Sequence, residues 1–534
     1  MLKKALWVTA LSSALVLLTS TTGVAGATTP VRASALTSPL AGCASQDAAQ
    51  IAVTGGRNFP NAEVEPSLGV HGGTVIGMWH EDRWSNGGAH GIGVGFSSDG
   101  GATWGNTTLP ISACAPGTPA SLMQYLRASD PWVSFGPDGT AYASALSFNL
   151  GFPNWANAVS AATSTDGGAT WQNAQAIPGS AFTQFAQSTD KNATTADPTR
   201  PHTAYTVWDT LIEPTDNPDD NPHTSSYTGP TYFSKTTDGG VTWSQAQVII
   251  DTKIRQQTIG NIVVVDPRNG DLYNFTDLIV SPNTPRQGTR SNALLAFVKS
   301  TDGGSTWSAV QVIAPFNSLG VRDPNTGERL RVGDGLEEVA IDPANGKLYV
   351  VWESSTNYQK QLKQSSGTWD DEILISSSAD GGATWTAPSV VHKLASGLPT
   401  FTPTVAVNNG VVAVTYYDVR NLASGQTANL PTDYWVKYST DGGATFGNEQ
   451  RITPTSFDSR TAPVARGFFL GDYEGLQPVG SGSFGAMFVK TNCDSTDGAG
   501  QVFPSGGACA PASSTSGATS NTNPTDAFYS VLTP

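Results

Sequence analysis

"STDGGATW", residues 164–171, is a polar turn closed by a large aromatic side chain, and near-copies of it recur along the chain. The others are "SSDGGATW" (97–104), "TTDGGVTW" (236–243), "STDGGSTW" (300–307), "SADGGATW" (378–385) and "STDGGATF" (439–446). Their aspartates, Asp99, Asp166, Asp238, Asp302, Asp380 and Asp441, are spaced by 67, 72, 64, 78 and 61 residues. Self-similarity at this period points to a propeller or solenoid rather than to separate domains. The residue types account for the turn. Asp and Ser/Thr side chains bond nearby backbone amides and hold it tight. Gly-Gly accepts positive φ, and the closing Trp or Phe suits the space between adjacent sheets. The motif contains no acid–base pair, so it reads as structural.

A second repeat is a hairpin of alternating apolar residues, as in "IVVVDPRNGDLYNFTDL" (262–278) and "EVAIDPANGKLYVVWES" (338–354), and it occurs seven times. Each of the first six hairpins is followed by a third strand, the Asp turn and a fourth strand. The seventh is followed by one more strand, "DAFYSVLTP" (526–534). Its missing outer strand is expected from "AAQIAVTG" (48–55), which would close the ring without an open edge. The expected fold is an all-β propeller of four-stranded blades, closed by an N-terminal strand. Seven blades are expected, with six as the alternative if the last hairpin packs elsewhere.

Composition agrees. The 534 residues include 57 Gly, 34 Pro and 14 Trp, only 13% are charged, and long amphipathic helical windows are absent. A net charge of −15 leaves no basic stripe to meet phosphates, which argues against nucleic acid as a partner. Lys3 and Lys4 precede an apolar run, and Ala25–Ala27 form a small-residue cleavage site. The expected organisation is a signal peptide (1–27), an N-terminal arm (28–46) and one propeller domain (47–534) in a secreted monomer. No later segment approaches the roughly 18 apolar residues of a spanning helix. Cys43, Cys114, Cys493 and Cys509 allow three pairings, and local spacing favours Cys43–Cys114 with Cys493–Cys509. "LAGC" (40–43) is also spelled like a lipoprotein processing site, which makes anchoring at Cys43 a lesser alternative.

The S-x-D-x-G-x-T-W turn resembles the Asp box, or BNR repeat, of the sialidase superfamily of β-propellers. That resemblance covers nearly the whole chain after residue 27. It implies structural boxes on the rim and a site on the opposite face, in a family that includes sialidases, other glycosidases and non-catalytic binders. A sialidase would need an arginine cluster for the substrate carboxylate, a tyrosine nucleophile with a Glu base, and an Asp acid. One departure is plain: the F/Y-R-I-P motif is absent, and "VEPSLGV" (64–70) puts Glu65 where its arginine is expected.

Aligning the hairpins on their turns puts an aromatic column near the end of strand 2: Trp79, Trp208, Trp352, Tyr416 and Phe488. Acids follow it: Glu81, Asp209, Asp277, Glu353 and Asp418. Further charges precede strand 1, including Glu65, Asp190 with Lys191, Arg331, and Asp472 with Tyr473 and Glu474. Aromatic platforms, paired carboxylates and arginines on one concave face are what a glycan site requires. The expected catalytic residues are Asp82 or Asp130 as acid and Tyr473 with Glu474 as nucleophile pair. The expected ligand-binding residues are Arg83, Arg127, Arg420, Arg466, Glu81, Glu353, Asp418 and Asp472. A secreted sialidase-like hydrolase of extracellular glycans is the leading expectation, and a non-catalytic glycan- or protein-binding propeller is the alternative. A weaker third is a lyase on a uronic sugar with His80 as base. No cofactor and no zinc site are expected. The acidic loop "IEPTDNPDDNP" (212–222) offers Asp216, Asp219 and Asp220 as possible Ca2+ ligands.

Overall fold

The computed structural model describes residues 26–151, 154–216, 227–281, 292–355, 358, 371–395, 397–492 and 524–534. Asp219, Asp220, Cys493 and Cys509 lie outside them.

The chain is all-β in its main elements. Consecutive strands pair antiparallel into meanders, as in Val64–His71, Thr74–Trp84, Ala89–Ser97 and Gly105–Thr108. Seven such meanders follow one another among the described residues. Their first strands are Val64–His71, Arg127–Phe135, Gln187–Ala196, Gln256–Val265, Glu337–Ile341, Thr400–Asn408 and Gly475–Val479. These first strands pack against each other in sequence order, and the seventh packs back on the first. The meanders therefore radiate from a closed inner ring. Apolar clusters fill the spaces between neighbouring sheets. Among the described residues, no helix is long and apolar enough to cross a membrane.

The last meander is completed from the N-terminus, although not by the expected segment. Gly26–Ala27 and Val31–Arg32 pair with the strand Thr525–Thr533. Residues 48–55 do not form that strand, because Asp47–Thr54 is an α-helix. The local signals favour it: Asp47 sits in the first turn, where the helix dipole favours an acid, and Gly55 ends the helix at φ 67. A short apolar run alone did not separate helix from strand.

The Asp-Gly-Gly turns behave as the residue chemistry requires. In the first, Ser97 Oγ donates to Asp99 Oδ1 at 2.7 Å and accepts from the Gly101 N–H at 2.9 Å. The Thr103 N–H and hydroxyl both donate to Asp99, at 2.9 and 2.6 Å. The bonds from Thr103, backed by Ser97, hold the exposed Asp99 carboxyl down at about 2. The other five turns repeat this pattern. The second glycine of each turn lies at positive φ against the preceding meander, as Gly382 does against Phe297. A Cβ at Gly382 (φ +89) would lie 2.6 Å from Phe297 Cζ, whereas one at Gly381 (φ +69) would come no closer than 3.0 Å to anything. Gly382→Ala should therefore cost roughly 2–4 kcal/mol and Gly381→Ala about 1–2. Denaturant midpoints of the two variants check this, and equal midpoints would show that the inter-meander contact is slack.

Cys43 and Cys114 form a disulfide with Cα atoms 5.7 Å apart. That bond takes up the thiol a lipid anchor at Cys43 would need.

Candidate active site

The first strands carry a shared device. Five of them shift register at a bulge: between Val64 and Ser67, Ser129 and Trp132, Asp190 and Ala193, Ile259 and Ile262, and Phe401 and Thr404. At each bulge one residue is left-handed: Glu65 (φ 55), Asp130 (φ 53), Lys191 (φ 39), Gly260 (φ 73) and Thr402 (φ 50). Bulges re-aim side chains, and left-handed non-glycine residues gather where surrounding structure holds them for function. Here three consecutive bulges send Glu65, Asp130 and Lys191 to one point.

Lys191 Nζ lies 3.0 Å from Glu65 Oε1, 3.0 Å from Asp472 Oδ2 and 3.6 Å from Asp130 Oδ2. Arg331 holds Asp472 bidentately, at 3.2 and 2.7 Å. Two loops bring these residues across the face: Arg329–Arg331 pairs parallel with Phe468–Phe469. His80 Nε2 accepts the Asp130 N–H at 2.7 Å and lies 3.3 Å from Glu65 Oε2. Burial lowers the His80 pKa and favours the neutral ring. Burial alone would raise the Asp130 carboxyl, but the Lys191 charge, with the bond donated by the Ser129 hydroxyl at 2.8 Å, outweighs it and holds Asp130 well below the usual range. Asp472 is held down in the same way by Arg331 and Lys191.

Glu65, His80 and Asp130 each place one ligand-type atom within 4.8 Å of the others, a spacing a metal ion would accept. The donor set does not fit one. The Nε2 lone pair is taken by the Asp130 N–H, and the Lys191 ammonium already supplies positive charge beside both carboxylates.

A cavity of about 340 Å3 opens beside this cluster. Arg83, Asp130, Asp190, Lys191, Arg331 and Arg466 line its axial end. A second cavity of about 290 Å3 shares Asp190, Lys191, Arg331 and Arg466 and adds Asp472. Asp190 is open to both, and its Oδ1 accepts the Lys191 N–H at 2.9 Å. The surrounding protein and the Asp130 charge push the Asp190 carboxyl up to about 6. Asp209, opposite Asp190 on the next strand, is pushed well up by burial and by Asp190.

The sequence-derived residues divide. Asp130, Arg83, Arg466 and Asp472 reach these cavities. Arg83 also donates to Gly88 O at 2.8 Å, and burial pushes it down to about 10. Arg466 is exposed and, among the described residues, makes no hydrogen bond or ion pair. Arg127 is fully engaged elsewhere. It bonds Gln50 at 2.9 Å and Asn86 at 2.8 Å and stacks on Trp84, pinning the helix Asp47–Thr54. Asp82 lies in another pocket, accepting the Asn61 N–H at 2.7 Å and facing His90. Arg420 and Asp418 pair with each other and with Glu449 and His392, away from the axial cluster. Glu353 accepts the Thr402 N–H, and Glu81 accepts from Trp79 at 3.0 Å. Tyr473 and Glu474 bond other partners rather than each other. Tyr473 donates to Pro131 O at 3.1 Å, while Glu474 accepts from Tyr417 at 2.8 Å. Both line a small axial cavity of about 70 Å3 instead. The aromatic column is likewise no platform, because Trp79, Trp208, Trp352, Tyr416 and Phe488 are buried between sheets. The aromatics that line the larger cavity are Phe148, Trp155 and Phe185, all partly exposed. Of the acidic loop, Asp216 accepts the Ala186 N–H at 2.9 Å.

Glu65, Asp190, Lys191 and Arg331 stood among the charges expected before strand 1 but not among the expected catalytic or ligand-binding residues. A signal for the bulge residues does exist: Glu65-Pro66, Asp130-Pro131, Lys191-Asn192, Gly260-Asn261 and Thr402-Pro403 recur at one position of the first strand. Proline inside a strand marks a bulge, where no ladder N–H is needed.

A further buried pairing fixes the N-terminal helix. His90 Nδ1 lies 2.9 Å from Asp82 Oδ2, and Nε2 lies 2.7 Å from Asp47 Oδ1. Burial pushes the His90 pKa down, but Asp82 and Asp47 outweigh it and leave it raised. A raised histidine stabilises fully below its unfolded pKa of about 6.5, and loses that effect as pH rises through the folded value. The stability gap between wild type and His90→Gln should be widest at acid pH and close on alkalinisation. Denaturant unfolding across pH measures it, and a gap that widens instead would reverse the assignment.

No family model matches the chain, and no curated protein matches it. Solved structures resemble it at low identity. The polysaccharide lyase Uly1 is 10% identical with a TM-score of 0.46, over 89% of this chain and 90% of that one. An α-L-arabinanase of Penicillium chrysogenum complexed with arabinobiose is 12% identical with a TM-score of 0.43, over 73% and 93%. The Hadza microbial sialidase Hz136 is 17% identical with a TM-score of 0.38, over 80% and 64%. These likenesses are coarse and do not single out one reaction.

Proposed function

We propose that this chain is a seven-bladed β-propeller, sialidase-like in architecture, that hydrolyses glycosidic bonds of extracellular glycans. The blades are the seven meanders, the last completed by residues from the N-terminus. One observation carries the reaction type. The axial end of a single cavity holds an acid poised for protonation, Asp190, and an acid held ionised, Asp130. Two carboxyls with proton affinities driven apart are what general-acid hydrolysis of a glycoside needs. Asp190 is the proton donor to the leaving oxygen, and Asp130 is the base or nucleophile. Arg83, Arg331 and Arg466 orient the sugar. This chemistry replaces the tyrosine route, since Tyr473 is buried against Pro131 and lines neither large cavity. The Cys43–Cys114 disulfide supports an oxidising, extracellular setting.

Purified protein is tested on fluorogenic aryl glycosides, an aryl sialoside among them, beside Asp130→Asn and Tyr473→Phe. At least one glycoside should turn over. Asp130→Asn should lose about 10²–10⁴ in rate, with Tyr473→Phe little changed. Loss in Tyr473→Phe with sialoside turnover would restore the tyrosine mechanism. Folded protein that binds glycans but cleaves none would favour the second reading, a binding propeller. The balance of Lys191 against Glu65, Asp130 and Asp472 supports that reading, because it gives these charges a structural use.

A further inference from the structure

The larger cavity is divided in its chemistry. Its axial end is charged, as described above. Its outer end runs between the second and third meanders and carries a different set: Trp155, Phe185, Phe148, Gln184, Gln187 and Ser188. Trp155 and Phe185 meet edge to face, with ring centroids 5.0 Å apart and planes at 71°. Both remain partly exposed, unlike the tryptophans packed between sheets. Among the described residues, the side chains of Gln184, Gln187 and Ser188 make no hydrogen bond to protein. By contrast, the nearby Asn149 and Asn157 are committed to backbone partners. The outer end thus offers open amides and a hydroxyl beside an aromatic corner, and the buried Glu213 adds a carboxyl to the cavity wall.

We propose that this outer end is a second sugar subsite, so that the ligand is a glycan of at least two residues. A sugar has apolar C–H faces and a hydroxylated edge, which match an aromatic wall flanked by open donors and acceptors. The axial end takes the unit that reacts, and the outer end takes its neighbour. A cavity of about 340 Å3 lies in the range for a ligand larger than a single small ring. The subsite deepens the glycan reading and rests on it.

The test uses binding, so that it does not depend on turnover. Asp130→Asn protein is applied to an array of oligosaccharides one to four residues long, beside the same protein carrying Trp155→Ala, Trp155→Phe or Gln184→Ala. The expected result is binding of two or more residues at least tenfold tighter than of the single sugar. Trp155→Ala and Gln184→Ala should erase most of that difference, leave the single sugar unchanged, and Trp155→Phe should keep most of it. Gln184 is exposed, so its variant carries little risk to folding. Affinity independent of chain length, or variants that weaken all lengths equally, would overturn the subsite while leaving the glycan reading intact. No binding of any glycan by folded protein, with no turnover by wild type, would instead overturn the glycan reading.

Discussion

Lys191→Met is expected to destabilise the protein by about 3–5 kcal/mol at neutral pH and to abolish turnover. The ammonium is nearly buried and stands within 3.0 Å of both Glu65 and Asp472 and 3.6 Å of Asp130. Methionine fills similar space but leaves three carboxylates facing one another without their shared cation. Removing one partner of a buried ionic group costs far more than the group contributes net, because the remaining charges stay desolvated. The pH dependence has a defined sign. The Lys191 charge holds the folded Asp130 carboxyl below its unfolded value of about 4, a stabilisation present above that pH, so the penalty of losing it grows as pH rises past 4. Variant and wild type should therefore converge toward pH 4 and diverge toward pH 7 in denaturant unfolding. A loss below about 1 kcal/mol, flat with pH, would mean that water already screens the cluster.

The second large effect concerns Asp190. If it donates the proton, kcat should fall as pH rises through about 6, where its carboxyl ionises. Asp190→Asn should lower kcat by about 10²–10⁴ and remove the alkaline limb of the profile. The same variant should change folding stability little, since Asp190 is exposed to both cavities. An unchanged alkaline limb would move the acid elsewhere, with Asp209 next in reach because it faces Asp190 across the strand pair.

Both predictions rest on side chains that reach the axis through a backbone bulge, whose aim depends on long-range contacts. Turn chemistry is local: Ser97, Asp99, Gly101 and Thr103 lie within seven residues, and their bonds form as their types require. Strand alternation is also local, so the meanders were legible from period-two patterning. The helix Asp47–Thr54 was misread as a closing strand, because its short apolar run suited both and the Asp47 and Gly55 signals were not weighed. The convergence of Glu65, Asp130, Lys191 and Asp472 was not. These residues come from different meanders, and their meeting depends on where each first strand bulges and how the ring closes. In a regular strand a one-residue shift sends a side chain to the opposite face, so listing charges near strand ends could not separate Arg466, at the cavity, from Arg127, locked on the helix. The sequence alone determined the repeat, the turns and the strand content, because those follow from neighbours along the chain. The tertiary structure decided which charges share a cavity and which aromatics stay open, because those follow from contacts between residues far apart in it.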